Sequence, residues 1–386
     1  MDFDAQPNTA AEQKHDLSLS PAGLESQPSP DSLPPQPENP YRGLRWIFFG
    51  AEGLRGGWSI LIFIAMFLLI AIAEGLLLAK IVPGFKNRSA ITPSLMFLRE
   101  LAAFIALLGA MAAMARIERR RLMDYNLTGP RRLSRFFAGV VTGFAALSLL
   151  VGLLAWGRWL HIGGMALSGV DIARYALVWA AVFLLVGCYE EGSARCYLQF
   201  TLTRSINFWW ALALVAAMCG DTFLRSKGNG VWGVYALALL GLVPCLLLHL
   251  RSVAGSAFWQ AAWVTSTLFG FLHITNNGEN WIGIFSAGAI GFVFCVSIYV
   301  TGSAWWAIGC HAGWDWAETY FYGTADSGVV APGHLLNSTA AGNPFWSGGA
   351  DGPEGSILIL AVLVALLAWL LIAYGRKSPP VQRLEA

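Results

Sequence analysis

The chain has 386 residues, of which 56% are hydrophobic and 12% are charged, and its formal net charge is +2. Soluble domains carry about 25% charged residues, so this composition excludes a water-soluble globular domain. The small net charge argues against a nucleic-acid partner. Apolar runs of about 20 residues, long enough to cross a bilayer, recur along the chain. The composition predicts an all-α, polytopic integral membrane helix bundle of about eight to ten spans.

The N-terminal region differs from the rest of the chain. Residues 1–41 are rich in Pro, Ser, Gln and Ala and nearly lack aromatic residues. Such a segment cannot bury enough surface to offset the entropy of ordering, so we expect a disordered polar tail. The apolar stretches that follow are each predicted to be a helical span. They cover 57–82, 93–115, 136–156, 172–204, 207–222, 231–250, 254–274, 281–300, 304–321 and 356–375.

These stretches suggest an organisation for the remaining chain. We expect two membrane helices with an Arg-rich loop at 42–135, and a membrane core at 136–321 with an inserted hairpin at about 207–250. A Gly-rich loop at 322–355 and a last helix with a basic tail at 356–386 complete the prediction. The loop at 322–355 contains no Lys or Arg. The positive-inside rule therefore predicts that both termini are cytoplasmic and that this loop lies outside.

Charged residues within the apolar stretches need an explanation, because each costs at least about 2.5–3.5 kcal/mol near the bilayer centre. Glu74 lies in the first stretch, and Arg99 and Glu100 lie in the second at a similar depth. We predict a structural ion pair between these two antiparallel helices.

A second group of ionisable residues lies in the fourth stretch. Glu190 and Glu191 are adjacent there, so they point about 100° apart around a helix. Glu191 and Arg195 are i,i+4 neighbours and can pair on one helix face. That pairing would leave Glu190 free to face a cavity.

Two histidines can complete the group. His273 closes the seventh stretch, and His311 and Asp315 are i,i+4 neighbours in the ninth. If the fourth helix continues to about Arg204, Glu190 and His273 lie at depths that differ by about one helical turn. His311 is expected at a lower depth, so tilt or a different helix boundary must bring it to the others.

Such a cluster suits peptide hydrolysis, which needs a base to activate water and donors for the oxyanion. Glu190 is the candidate base, assisted by His273, and His311 is the candidate oxyanion donor. Asp315 can donate only if it is protonated, and as an anion it would orient His311. Three alternatives use the same atoms: a zinc ion held by Glu and His, a proton relay in a transporter, and purely structural hydrogen bonds.

The three motifs resemble those of the CPBP family, the intramembrane glutamic endopeptidases that include the type II CAAX prenyl protease. The resemblance rests on a Glu-Glu-x-x-x-Arg motif, a Phe-x-x-x-His motif and a His-x-x-x-Asp motif, in that order, and it covers about 136–321. The matching residues are Glu190, Glu191, Arg195, Phe269, His273, His311 and Asp315. Cys196 stands where the family usually has Gly, and Asp315 stands where it often has Asn.

The resemblance implies a protease core that needs no metal or other cofactor. In it the first Glu and the first His activate water, and the last His and its i+4 partner form the oxyanion site. The expected partners are the lipid bilayer and a peptide or protein substrate, with or without an attached lipid. The family also has members studied as immunity or scaffold proteins. A non-enzymatic membrane scaffold or immunity protein is therefore an alternative function for this chain.

Overall fold

The computed structural model describes residues 43–51, 53–87, 91–226, 232–251, 255–276 and 278–375. The predicted disordered tail and the basic C-terminal tail lie outside the described residues. Every predicted apolar stretch contains a helix. The helices are α1 (Arg45–Phe48), α2 (Gly56–Ile81), α3 (Pro93–Ile117), α4 (Arg132–Trp156), α5 (Val170–Glu191), α6 (Gln199–Thr203), α7 (Phe208–Ser226), α8 (Trp232–Leu250), α9 (Ser256–His273), α10 (Trp281–Thr301), α11 (Trp305–Asp315), α12 (Pro344–Ser347) and α13 (Leu358–Tyr374).

Two helices continue through π-helical segments. One segment, Gly192–Leu198, joins α5 to α6, so that a single helix runs over Val170–Thr203. The other, Trp316–Tyr322, extends α11. Rare π-helical segments often occur at functional sites. Here one begins within the motif that runs from Glu190 to Arg195, and the other begins directly after Asp315.

Five helices in the described part of the chain are long and apolar enough to cross a membrane. They are Gly56–Ile81, Pro93–Ile117, Arg132–Trp156, Val170–Thr203 and Trp281–Thr301. Shorter apolar helices occupy Phe208–Leu224, Gly241–Leu250 and Leu358–Tyr374. The predicted all-α, multi-pass membrane class is confirmed.

Short strands accompany the helices. β1 (Phe49–Gly50) pairs with β2 (Gly53–Leu54), and β3 (Leu160–Met165) pairs antiparallel with β4 (Leu336–Ala340). The β3–β4 register runs from Leu160 opposite Ala340 to Met165 opposite Leu336, with an irregularity between them. β4 lies within 322–355, so the structure ties this segment to the connection that follows α4.

Glycines bring α4 and α11 into close contact. Gly139 and Gly143 in α4 face Gly309 and Gly313 in α11, and both pairs have small-xxx-small spacing. A methyl group added to any of the four would collide with backbone of the opposite helix. His311 stands midway between the two α11 glycines, so it projects from the opposite face of that helix.

The buried core lies around this contact. Fully buried side chains of α4, α11 and α13 pack together with apolar residues of α10. They include Leu147, Leu150, Trp306, Val362 and Leu370. This packing fixes α11 inside the protein, with its histidine-bearing face turned away from α4.

Candidate active site

A cavity of about 620 Å³ lies between α3, α5, α9, α10, α11 and the 322–355 segment. Four of the six residues predicted for the site line it: Glu190, His273, His311 and Asp315. The other two, Glu191 and Arg195, are fully buried behind them. The fold therefore brings all three predicted motifs to one place.

Glu191 links two of the motifs. Its Oε1 lies 2.9 Å from Nδ1 of His311, and its Oε2 lies 3.2 Å from Nε of Arg195. The Arg195 contact is an ion pair rather than an aligned hydrogen bond, because neither atom has hydrogen-bond geometry with any described residue. The guanidinium also lies 4.4 Å from the ring centre of Phe269 and 5.6 Å from that of Phe294. A carboxylate and two aromatic faces thus surround the buried cation.

Glu190 has a different environment from its neighbour. Its side chain is 31% exposed and lines the cavity, whereas that of Glu191 is 0% exposed. Its Oε2 lies 3.7 Å from Nε2 of His311, and Asp315 Oδ2 lies 3.4 Å from the same nitrogen. The two ring nitrogens of His311 therefore face different carboxylates, with Glu191 on one side and Glu190 and Asp315 on the other.

His273 is held by its own helix. Its Nδ1 lies 2.8 Å from the carbonyl oxygen of Phe269, one turn earlier. A carbonyl only accepts hydrogen bonds, so Nδ1 carries the proton and donates. In the neutral ring Nε2 is then an acceptor, and we assign the tautomer from this contact. The Phe-x-x-x-His spacing thus sets the chemistry of the imidazole.

The expected difference in depth between His311 and Glu190 is not found, since their side chains lie 3.7 Å apart. The depth expectation assumed that α11 starts at the membrane boundary. Trp306, Ala307 and Ile308 are at most 2% exposed, so α11 begins inside the protein. The fourth helix is unbroken to Thr203, as the expectation for Glu190 required.

Part of the cavity wall was not predicted from the sequence. Arg99 and Glu100 both line it, and Arg99 donates to the carbonyl oxygens of Phe85 at 3.2 Å and Asn87 at 2.8 Å. The predicted ion pair between Glu74 and Arg99 is wrong, because the buried Oε2 of Glu74 has no hydrogen-bond partner among the described residues. The i, i+3, i+4 spacing of Met96, Arg99 and Glu100 places them on one face of α3, which the sequence predicts. The sequence does not show which helix that face contacts.

Carboxylates outside the membrane spans also lie near the site. Asp326 and Glu354, both from the 322–355 segment, line the cavity. Burial raises the pKa of both carboxyls above the ordinary range. Nearby, burial and then the charge of Asp351 raise the pKa of Glu279 to about 9. Burial also raises the pKa of Asp351 to about 6.

The fold and the cavity define a polytopic membrane protein with an internal carboxylate–histidine site. Residues 245–317 match a family model described as Type II CAAX prenyl endopeptidase Rce1-like. The matched segment contains His273, His311 and Asp315 but begins after Glu190. It confirms the resemblance to this protease family that the motifs indicated. No curated protein and no solved structure gave a significant match.

Proposed function

We propose that the protein is an intramembrane endopeptidase that uses Glu190 to activate water for peptide hydrolysis. One observation carries the proposal: two consecutive carboxylates have opposite environments. Glu191 is fully buried against Arg195 and His311, while Glu190 is partly exposed in a cavity that His273 also lines. A carboxylate that already neutralises a buried cation is a poor base. Glu190 is therefore the residue of this pair that can take a proton from water.

His273 supports the same step. With Nδ1–H donated to the Phe269 carbonyl, Nε2 of the neutral ring can accept a hydrogen bond from the attacking water. Glu190 then receives the proton as the water oxygen bonds to the substrate carbonyl carbon. A well-placed general base of this kind contributes about 10²–10⁴-fold in rate.

His311 is suited to stabilise the oxyanion. Its Nδ1 is engaged by Glu191 at 2.9 Å, which leaves Nε2 for the substrate. Donation from Nε2 requires a proton on both nitrogens, so the active form in this proposal has a cationic His311. Asp315, 3.4 Å from Nε2, orients the ring as an anion. A donor to the oxyanion is worth about 10²–10³-fold in turnover.

Collapse of the tetrahedral intermediate completes the reaction. The carbon–nitrogen bond breaks, and the proton held by Glu190 passes to the leaving amine. The products are a carboxylic acid, which keeps the second proton of the water, and an amine, and Glu190 is again a free carboxylate. The substrate class that follows is a peptide or protein segment that reaches a cavity within the bilayer, with or without an attached lipid.

Cleavage of a quenched peptide library by purified protein tests the proposal. Wild type should cleave with and without a strong chelator, and Glu190→Gln and His273→Ala should not, although both fold. Glu74→Gln is the matched control, because Glu74 lies in a membrane helix but not in the cavity wall. Activity lost to the chelator alone, with folding intact, would favour the zinc alternative. Absence of cleavage by every folded form would favour the scaffold or transport alternatives.

A further inference from the structure

A second carboxylate cluster lies beside the cavity. Glu318 comes from the π-helical segment after α11, and Asp326 and Glu354 come from the 322–355 segment. One carboxylate oxygen from each lies within 4.8 Å of the others. None of the three belongs to the motifs assigned to catalysis.

Glu318 is the unusual member. Its side chain is 0% exposed, and neither carboxylate oxygen has a hydrogen-bond partner among the described residues. Burying a carboxylate without a partner is costly, and an ionised one costs several kcal/mol or more. The ion pairs between described residues do not involve this cluster. The geometry thus leaves a buried carboxylate that has no hydrogen-bond partner among the described residues and lies close to two others.

Neighbouring donors hold the other two carboxylates in place. Trp314 Nε1 donates to Glu354 Oε1 at 2.8 Å, and the Thr319 hydroxyl donates to Asp326 Oδ2 at 2.8 Å. Each bond occupies one oxygen and leaves the second oxygen available. Hydrogen bonds that orient carboxylate ligands in this way are a regular feature of metal sites.

We propose that Glu318, Asp326 and Glu354 bind a calcium ion. Two oxygens that share an ion are separated by at most twice the metal–oxygen distance, about 4.6–5.2 Å for Ca²⁺ and about 4.0–4.2 Å for Mg²⁺. The upper bound of 4.8 Å on each pair of oxygens lies within the limit for calcium and extends beyond the limit for magnesium. An all-oxygen, anionic donor set suits such a hard cation rather than zinc or copper.

A cation at this position would connect the 322–355 segment to the helix that carries His311 and Asp315. Asp326 and Glu354 line the cavity wall, so the ion would fix that wall against α11. The sequence predicts this segment on the non-cytoplasmic side. There a dissociation constant of about 10⁻⁴–10⁻³ M is sufficient, as in extracellular calcium modules.

Two measurements on the purified full-length protein test the site, and neither depends on catalytic activity. The melting temperature should rise with calcium above the dissociation constant, and less with magnesium at the same concentration. Terbium, a luminescent calcium substitute, should show tryptophan-sensitised emission. Added calcium should reduce this emission by displacing the terbium ion. Glu318→Gln should weaken both responses at least about tenfold, and Thr319→Val should weaken them about tenfold by releasing Asp326.

Asp171→Asn is the control, since Asp171 is a half-exposed carboxylate in an i,i+3 ion pair outside the cluster. It should leave calcium binding unchanged. The proposal would be overturned if the melting temperature of the wild-type protein did not change with calcium up to about 10 mM. That concentration is an order of magnitude above the expected dissociation constant. Calcium binding that is undiminished in folded Glu318→Gln would overturn it as well.

Discussion

The carboxylate of Glu191 lies 2.9 Å from Nδ1 of His311, although 120 residues separate them in the chain. This contact joins the helix that carries the adjacent glutamates to the helix that carries His311 and Asp315. Because Glu191 also pairs with Arg195, one buried carboxylate positions residues from two motifs. In the proposed mechanism this contact makes Glu191 a positioning residue, and Glu190 is the base.

Glu191→Gln is expected to destabilise the protein strongly. The amide keeps the shape of the side chain but leaves the Arg195 charge uncompensated in a fully buried site. Loss of one partner of a buried ion pair costs about 3–5 kcal/mol. Thermal unfolding in detergent measures the effect. The double variant with Arg195→Met should recover part of the loss, and an unchanged melting temperature in Glu191→Gln would show that the pair does not hold the site.

Gly143→Ala should also lower stability, by about 1–3 kcal/mol, because the added methyl would meet the Cys310 carbonyl across the α4–α11 contact. Gly152 offers a matched control in the same helix, since a methyl there has open space around it. Gly152→Ala should be neutral or stabilising by up to about 1 kcal/mol. Melting temperatures of the two variants that did not differ would contradict the close approach of these helices.

The pair of Glu279 and Asp351 predicts a pH dependence. The pKa of Glu279 is raised from 4.5 to about 9, so the folded protein holds a proton that the unfolded chain releases. Its contribution to stability is present at low pH and is lost as pH rises from 4.5 to about 9.

Melting temperatures measured across this range should therefore fall less steeply in Glu279→Gln than in wild type. Asp171→Asn serves as the control, because Asp171 is half exposed in an i,i+3 ion pair, and it should leave the slope unchanged. Parallel curves for Glu279→Gln and wild type would show that this carboxyl does not contribute.

Substitutions of Asp315 test whether its carboxylate orients the His311 ring. If its carboxylate only orients the His311 ring, Asp315→Asn keeps an acceptor at the same position and should retain activity within about tenfold. Asp315→Leu removes the acceptor and should lose about 100-fold or more. Peptide cleavage rates of the folded variants decide the point, and equal losses in both would indicate that the charge itself is required.

The sequence predicted the helices well, because they follow from local spacing, and it also predicted the local contact within one motif. Apolar length determines which segments can span a bilayer, and i,i+4 spacing already placed Glu191 beside Arg195. What could not be predicted depends on which helices meet. The prediction paired Arg99, beside Glu100, with Glu74, because the sequence does not show that this face of α3 turns towards the cavity that Glu190 lines.

Contacts between residues far apart in the chain could not be predicted from the sequence for similar reasons. β4 lies in a Gly-rich segment without clear alternation, so its pairing with β3 depends on a partner more than 150 residues away. The position of His311 depends on α11 starting within the protein, and burial of that helix start is a tertiary property. The cluster of Glu318, Asp326 and Glu354 likewise forms only when the 322–355 segment folds back on α11.

The central claim is that Glu190 activates the attacking water, and single-turnover cleavage of an identified peptide substrate tests it most directly. Glu190→Gln should retain the wild-type melting temperature and slow the cleavage step by at least about 100-fold, since the amide cannot accept the proton. Glu74→Gln should cleave at the wild-type rate. A folded Glu190→Gln protein that cleaves as fast as wild type would contradict the account.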